Sequence, residues 1–368
     1  MRRPVTLLFF LLIMAFAAPA QTILADSIAA LQPPMEESSG LVILNNRIIT
    51  LGDSGNPPAL FEIDTTTGLA SRTVHVARAR NVDWEAAAAD STYIYIGDFG
   101  NNNGNRQDLR VYRIAIADYL NTTNDTVLAD TIAFSYADQT DFTPAPLQTN
   151  YDAEALVNYR DSLYIFTKQW GKGGTSVYSL PKQPGQYTIH KIDSMQTNGL
   201  VTGGCFNIYF GFLTLTTNTP FVPYVESAYG WQPGMWNGQR TTRQIDVAGS
   251  IQVEAIAVRR FTKYFITSET SVFGPGVLST ATIQPIGQTE FRKPSVSVFP
   301  NPSTGKVRLS QPERIRRVQV FDLAGKPMID LNEDATLHSL RFDEPGLYTV
   351  LITLKAGNQI IQKLVITP

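Results

Sequence analysis

The chain has 368 residues, 43% of them hydrophobic and 17% charged, with a formal net charge of −2. That composition is globular and excludes a disordered or fibrous chain, and a near-neutral balance without a basic stripe argues against a nucleic-acid partner. The length allows two or three domains. Cys205 is the single cysteine, so no intrachain disulfide can form and Cys-ligated metal sites are excluded.

From the N-terminus, "MRRPVTLLFFLLIMAFAAPA" has Arg2 and Arg3, an apolar run from Val5 to Phe16, then Ala18-Pro19-Ala20. This is the order of a secretory signal over residues 1–20, with cleavage before Gln21. The run is short for a bilayer span. No later segment is continuously apolar enough to be one, so a soluble exported monomer without a transmembrane segment is expected.

Next comes a repeat. "ESSGLVILNNRIITLGDSGN" begins at Glu37, "DWEAAAADSTYIYIGDFGNN" carries Glu85, "YDAEALVNYRDSLYIFTKQW" carries Glu154 and "QVEAIAVRRFTKYFITSET" carries Glu254. Each reads as an acid, a short apolar strand, a polar turn and a strand rich in Tyr, Ile and Phe, closing on Asp53, Asp98, Lys168 or Glu269. "VTGGCFNIYFGFL" is a degraded copy midway between Glu154 and Glu254, and the longer gap after Glu85 holds an insertion through "ADQTDFTPAPLQTN". A period near 50 of short strands without helical periodicity predicts an all-β fold, a β-propeller over residues 21–290 with five visible units and room for a sixth. A β-sandwich with chance similarity between hairpins is the alternative.

Residues two apart on a strand share a face, so Asp83 and Glu85 point together, as do Asp152 and Glu154. Hairpin geometry sets Glu85 near Asp98, Glu37 near Asp53, Glu254 near Glu269 and Glu154 near Lys168. Radial packing then gathers these carboxylates at one channel mouth, where crowding calls for cations, basic residues or shared protons. An oxygen-rich cluster suits Ca²⁺, with "GDFGNNNGNRQD" offering further oxygens although it fails the EF-hand pattern. The alternative is that each acid only binds backbone N–H groups of a neighbouring sheet. "GDSGN" at 52–56 reads as a turn rather than a nucleophile site. Tyr229, Trp231 and Trp236, beside Arg240 and Arg243 in a Gly/Pro-rich loop, read either as an exposed glycan-binding surface or as rings tucked between sheets.

Residues 293–368 read as closely spaced strands of a small Ig-like β-sandwich. "VFPNPSTG" at 298–305, "VFDLAGK" at 320–326, "PGLYTVLI" at 345–352 and the final "KLVITP" resemble the C-terminal sorting domain of type IX secretion cargo in Bacteroidetes. The resemblance implies contact with the outer-membrane type IX machinery and export to the cell surface or beyond. "DWEA", "YDAEA" and "VEAI" resemble strand starts in the phytase-like and SdiA-regulated secreted propellers. That likeness implies an acidic calcium site at the channel mouth and assigns no role to any one carboxylate.

Two functions stay open. One is a non-catalytic module binding a glycan, peptide or protein; the other is a calcium-dependent hydrolase of phosphate esters, with the metal activating water. A phosphate site needs several cations, and the mouth offers mainly Lys168, Arg106 and Arg110. That deficit favours binding.

Overall fold

The computed structural model describes residues 22–220, 222–234, 239–247, 252–272, 274–285, 296–322, 326–332, 339–355 and 359–367. The signal segment, Trp236 and His338 lie outside the described residues. The chain divides into two compact units, Met1–Ile286 and Gly287–Pro368.

The first unit is a succession of antiparallel four-strand meanders. Sheet I runs Ser38–Leu44, Arg47–Gly52, Ala59–Ile63 and Ala70–Ala77. Sheet II runs Trp84–Ala89, Tyr93–Asp98, Arg110–Ala115 and Asp130–Tyr136. Sheet III runs Asp152–Tyr159, Ser162–Lys168, Thr175–Pro181 and Lys191–Met195. Sheet IV runs Leu200–Asn207, Phe212–Asn218, Pro223–Tyr229 and Arg240–Val247. Sheet V runs Val253–Arg260, Lys263–Ser268 and Val277–Thr282, and takes its fourth strand, Ile23–Ala30, from the start of the chain. Ile23–Ala30 also pairs in parallel with Arg240–Val247, joining sheets IV and V into one eight-stranded sheet. Short excursions stitch other neighbours: Thr126–Leu128 pairs with sheet I, and Gly185–Ile189 with sheet II.

The first strands of sheets I to V pack side by side in order, and the fifth packs against the first. A cavity of about 310 Å³ is lined by residues from all five of them, including Val42, Ala88, Val157, Gly204 and Ala257. Each gap between successive sheets is filled by its own apolar cluster. Ala87 faces sheet I while Ala86 and Ala88 face sheet III, so both faces of the strand are buried and its apolar run does not alternate. Small residues are required where strands crowd: a Cβ on Gly40 would stand 2.7 Å from the Ala87 nitrogen, and one on Gly203 would stand 2.4 Å from the Glu254 carbonyl oxygen.

One helix, Ile116–Asn121, interrupts sheet II. It is too short to leave a periodic trace in the sequence. Its buried Tyr119 donates a hydrogen bond to Glu62 Oε1 at 3.0 Å. Cys205 has its thiol pKa raised by burial, in keeping with an inert role.

The second unit has a three-stranded sheet (Val298–Phe299, Lys306–Leu309, Ser339–Arg341) and a four-stranded one (Pro327–Asn332, Ile315–Phe321, Gly346–Leu354, Gln359–Ile366). They share one core of Val307, Leu309, Val318, Val320, Val350, Ile352 and Leu364. Here Tyr348, Val350, Ile352 and Leu354 are buried at every second position, as a sheet with one wet face requires.

Gly40→Val tests the crowding. Overpacking at this approach is expected to cost about 2–3 kcal/mol in thermal or denaturant unfolding. An unchanged melting temperature would show that the first strands of sheets I and II do not meet there.

Candidate functional site

Every first strand carries a bulge near its start. The pairing register slips at Ser38/Gly40, Trp84/Ala86, Ala153/Ala155, Val201/Gly203 and Val253/Ala255. The extra residues are Ser39, Glu85, Glu154, Thr202 and Glu254, and a bulge re-aims its side chain and bends the strand. This register corrects the alignment read from sequence. Glu37 shares its position with Asp83 and Asp152, two residues before the bulge, and Ser39 is the counterpart of Glu85. On the second strands, Asp53, Phe99, Lys168, Asn218 and Glu269 are equivalent, while Asp98 pairs with Trp84 one step earlier.

Ser39 and Thr202 use the bulge to stitch sheets: their hydroxyls donate to the carbonyl oxygens of Trp84 at 2.9 Å and Val253 at 2.5 Å. The glutamates make a different structure. Burial first, then Glu154 and Asp83, pushes the half-buried Glu85 well above the usual carboxylate range. Glu254 is raised by burial and then by Glu269. Asp83 is raised by burial and by Asp152, and its carboxyl shares a hydrogen bond with that of Glu85. Glu269 is raised by burial, against the pull of Lys168, with Glu37 adding to the rise. Asp53, between Glu37 and Glu269, is pushed up to about 7 by burial and those two neighbours. Asn56 bridges Glu37 and Asp53, donating to both at 2.9 and 3.0 Å. The acids therefore form an arc of two groups, Glu254, Glu269, Glu37 and Asp53 on sheets V and I and Asp83, Glu85, Asp152 and Glu154 on sheets II and III, joined electrostatically through Glu154, Glu254 and Lys168.

The three cations named here from sequence, Lys168, Arg106 and Arg110, are each engaged. Lys168 Nζ lies 3.0 Å from Glu154 Oε1. Burial alone would lower Lys168, but Glu154, Glu254 and Asp152 raise it and hold it charged. Arg106 reaches Asp98 Oδ1 at 3.0 Å, the Gly100 carbonyl oxygen at 2.8 Å and Asp108 at 3.1 Å. Arg110 lies 2.8 Å from Asp108. Burial raises Asp98, and Arg106 opposes that rise. Gly100 packs directly on the acid pair: a Cβ there would meet Asp83 Oδ2 at 2.4 Å and Glu85 Oε1 at 2.6 Å.

Asp152 has the structural role that sequence left as an alternative. It accepts from the backbone N–H of Asn101 at 2.5 Å and from the indole N–H of Trp170 at 2.7 Å. Several carbonyls of the loop after Asp98 accept hydrogen bonds within the fold. Asn102 and Asn103 accept from the backbone N–H groups of Leu147 and Ala145, and Gly104 from Gln139. Among the described residues no three Asp, Glu, His or Cys side chains converge closely enough to hold a metal ion.

Of the two readings of the aromatic loop, Trp231 takes the tucked one. Trp231 is 2% exposed and packs against Tyr159 and Tyr164 at centroid distances of 5.5 and 5.4 Å. It belongs to the apolar layer between sheets III and IV, where a large ring buries more surface than any loop tip could. Tyr229 packs on Phe212 and donates to the Gln284 carbonyl oxygen at 3.2 Å. Arg240 donates to the Gln196 carbonyl oxygen at 2.7 Å. Sequence reasoning passed over Trp170, whose signal was its place just after Lys168 at the end of an equivalent strand. Ser54 lies in an exposed turn closed by the Asn56 N–H donating to the Asp53 carbonyl oxygen at 3.3 Å.

Residues 297–367 match the family described as "Secretion system C-terminal sorting domain". The tail marks the chain as type IX secretion cargo, exported by that machinery across the outer membrane to the cell surface or the extracellular space. No helix among the described residues is long and apolar enough to cross a membrane. Among solved structures the chain is similar to a luciferin-regenerating enzyme, at 14% identity over 68% of this chain and 78% of that one, TM-score 0.38. It is also similar to the computationally designed Ika8 protein, at 12% identity over 93% and 100%, TM-score 0.30. A third is the hydrazine synthase of Kuenenia stuttgartiensis, at 9% identity over 92% and 98%, TM-score 0.34. No curated protein matches the chain.

Two measurements probe the arc. Lys168→Met strands the buried Glu154 and is expected to cost about 3 kcal/mol in denaturant unfolding, with Lys168→Met/Glu154→Gln recovering part of it. A double variant no more stable than the single one would refute the pairing. For Asp53, the folded-state pKa of about 7 exceeds the unfolded value, so the folded protein holds the extra proton between them. Its contribution is therefore most favourable below about pH 4 and is lost as pH rises to about 7. Discounted for solvent screening to about 1 kcal/mol, Asp53→Asn should raise the melting temperature at pH 8 by about 2–4 °C and leave it unchanged at pH 4. An equal shift at both pH values would reject the assignment.

Proposed function

We propose that the first unit is a five-bladed β-propeller, followed by a small sorting sandwich, and that it acts outside the cell as a non-catalytic module. It binds a glycan, peptide or protein partner at the acid-lined mouth. The support for five blades is the circuit of first strands, with one apolar cluster in each gap. The observation that carries the choice of function is the engagement of the three cations named there from sequence: Lys168 with Glu154, Arg106 with Asp98 and Asp108, and Arg110 with Asp108. A hydrolase of phosphate esters must hold a dianion with several uncommitted donors, and here the surrounding carboxylates would repel it. The mouth is built instead to hold neutral or cationic groups.

The test pairs an assay with a binding screen on the full chain. Phosphate-ester turnover is expected to be absent with calcium and with chelator. In glycan and peptide panels, retention of a ligand is expected to weaken at least about tenfold in Glu37→Gln/Asp53→Asn/Glu269→Gln, as for a buried recognition contact. Turnover abolished by chelation and by Glu85→Gln would replace this reading with the calcium-dependent hydrolase.

A further inference from the structure

We infer that the cavity beside the acid arc is a binding pocket for an uncharged saccharide, walled by Trp170. The inference rests on the reading of the first unit as a binding module. The cavity, about 450 Å³, lies among the second-strand ends of sheets III and IV and the first-strand starts of sheets IV and V, and is lined by Trp170, Asn198, Leu200, Asn218, Thr219 and Gln252, among others. Its size is that of a small-ligand site.

Trp170 is fixed on three sides. Its indole N–H donates to Asp152 Oδ2 at 2.7 Å, its backbone N–H donates to the Thr149 carbonyl oxygen at 3.2 Å, and Lys168 Nζ stands 4.6 Å from the ring centroid. A ring already held in place loses little freedom on binding, so the contact area it offers is retained as affinity. The ring is half-buried and forms part of the cavity wall. A flat indole matches the C–H face of a pyranose. Around it, the exposed Asn198 amide carries both a donor and an acceptor, and the side-chain oxygens of Asn218 and Thr219, although hydrogen-bonded within the fold, each keep a lone pair for a sugar hydroxyl. Asn218 is itself anchored, donating to the Val253 carbonyl oxygen and accepting from the Val253 N–H, each at 3.2 Å.

Charge narrows the class. The cation in the cavity wall, Lys168, is bound to Glu154 and faces Glu254, Asp152 and Glu85. A uronate or sugar phosphate would find its counterion taken and a carboxylate arc beside it, whereas a neutral sugar meets neither problem.

The experiment titrates the full chain with neutral hexasaccharides of glucose, xylose and mannose and with a uronate hexasaccharide, followed by indole fluorescence and calorimetry. At least one neutral oligomer is expected to bind, with the uronate at least about tenfold weaker, and Trp170→Ala to weaken it about tenfold or more while Trp170→Phe retains most of it. Asn198→Trp, placed at an exposed rim position, should block the cavity without altering the melting temperature, which guards against a misfolded Trp170→Ala. Binding of no neutral oligomer, tighter binding of the uronate, or neutral binding indifferent to both Trp170→Ala and Asn198→Trp would overturn the inference. If peptides bind and sugars do not, the pocket assignment falls and the binding module stands; phosphate-ester turnover would remove the module reading itself.

Discussion

The first unit depends on crowding about one axis. Five first strands pack side by side until the last meets the first, and at their points of closest approach only glycine fits. Gly40 and Gly203 sit where a single added carbon would collide with a neighbouring backbone. The same constraint explains the alanine run of Trp84–Ala89, whose two faces serve different sheets. Closure also binds the start of the chain to its later part: Ile23–Ala30 completes sheet V and bridges to sheet IV.

Crowding has an electrostatic consequence at one rim. Bulges at the same point of each first strand turn five side chains to one end, and three of the five are glutamates. Where the position holds Ser39 or Thr202, a hydroxyl ties adjacent sheets together at no electrostatic cost. Where it holds glutamate, burial and like charge raise the carboxyls, and Lys168 supplies the local counterion.

The second unit obeys a looser constraint. Its strands bury one face against a shared core and leave the other exposed, so Gly346–Leu354 alternates cleanly. That alternation, and the turn motifs between its strands, made its identity as an export tail readable in the chain itself.

Sequence alone determined the strand-rich repeat, the membership of the acid cluster, the Glu154–Lys168 pair and the export address, because each rests on local residue order and spacing. Tertiary structure decided the register. A bulge adds one residue without any compositional mark, so Glu37 aligned with Glu85 in the linear reading although it is the counterpart of Asp83. It also decided what is exposed: Trp231, in a Gly/Pro-rich loop, folds into an apolar layer, while Trp170, inconspicuous in the chain, stands in the wall of a cavity. Burial is a property of what packs on a residue from distant segments, and no local pattern carries that information.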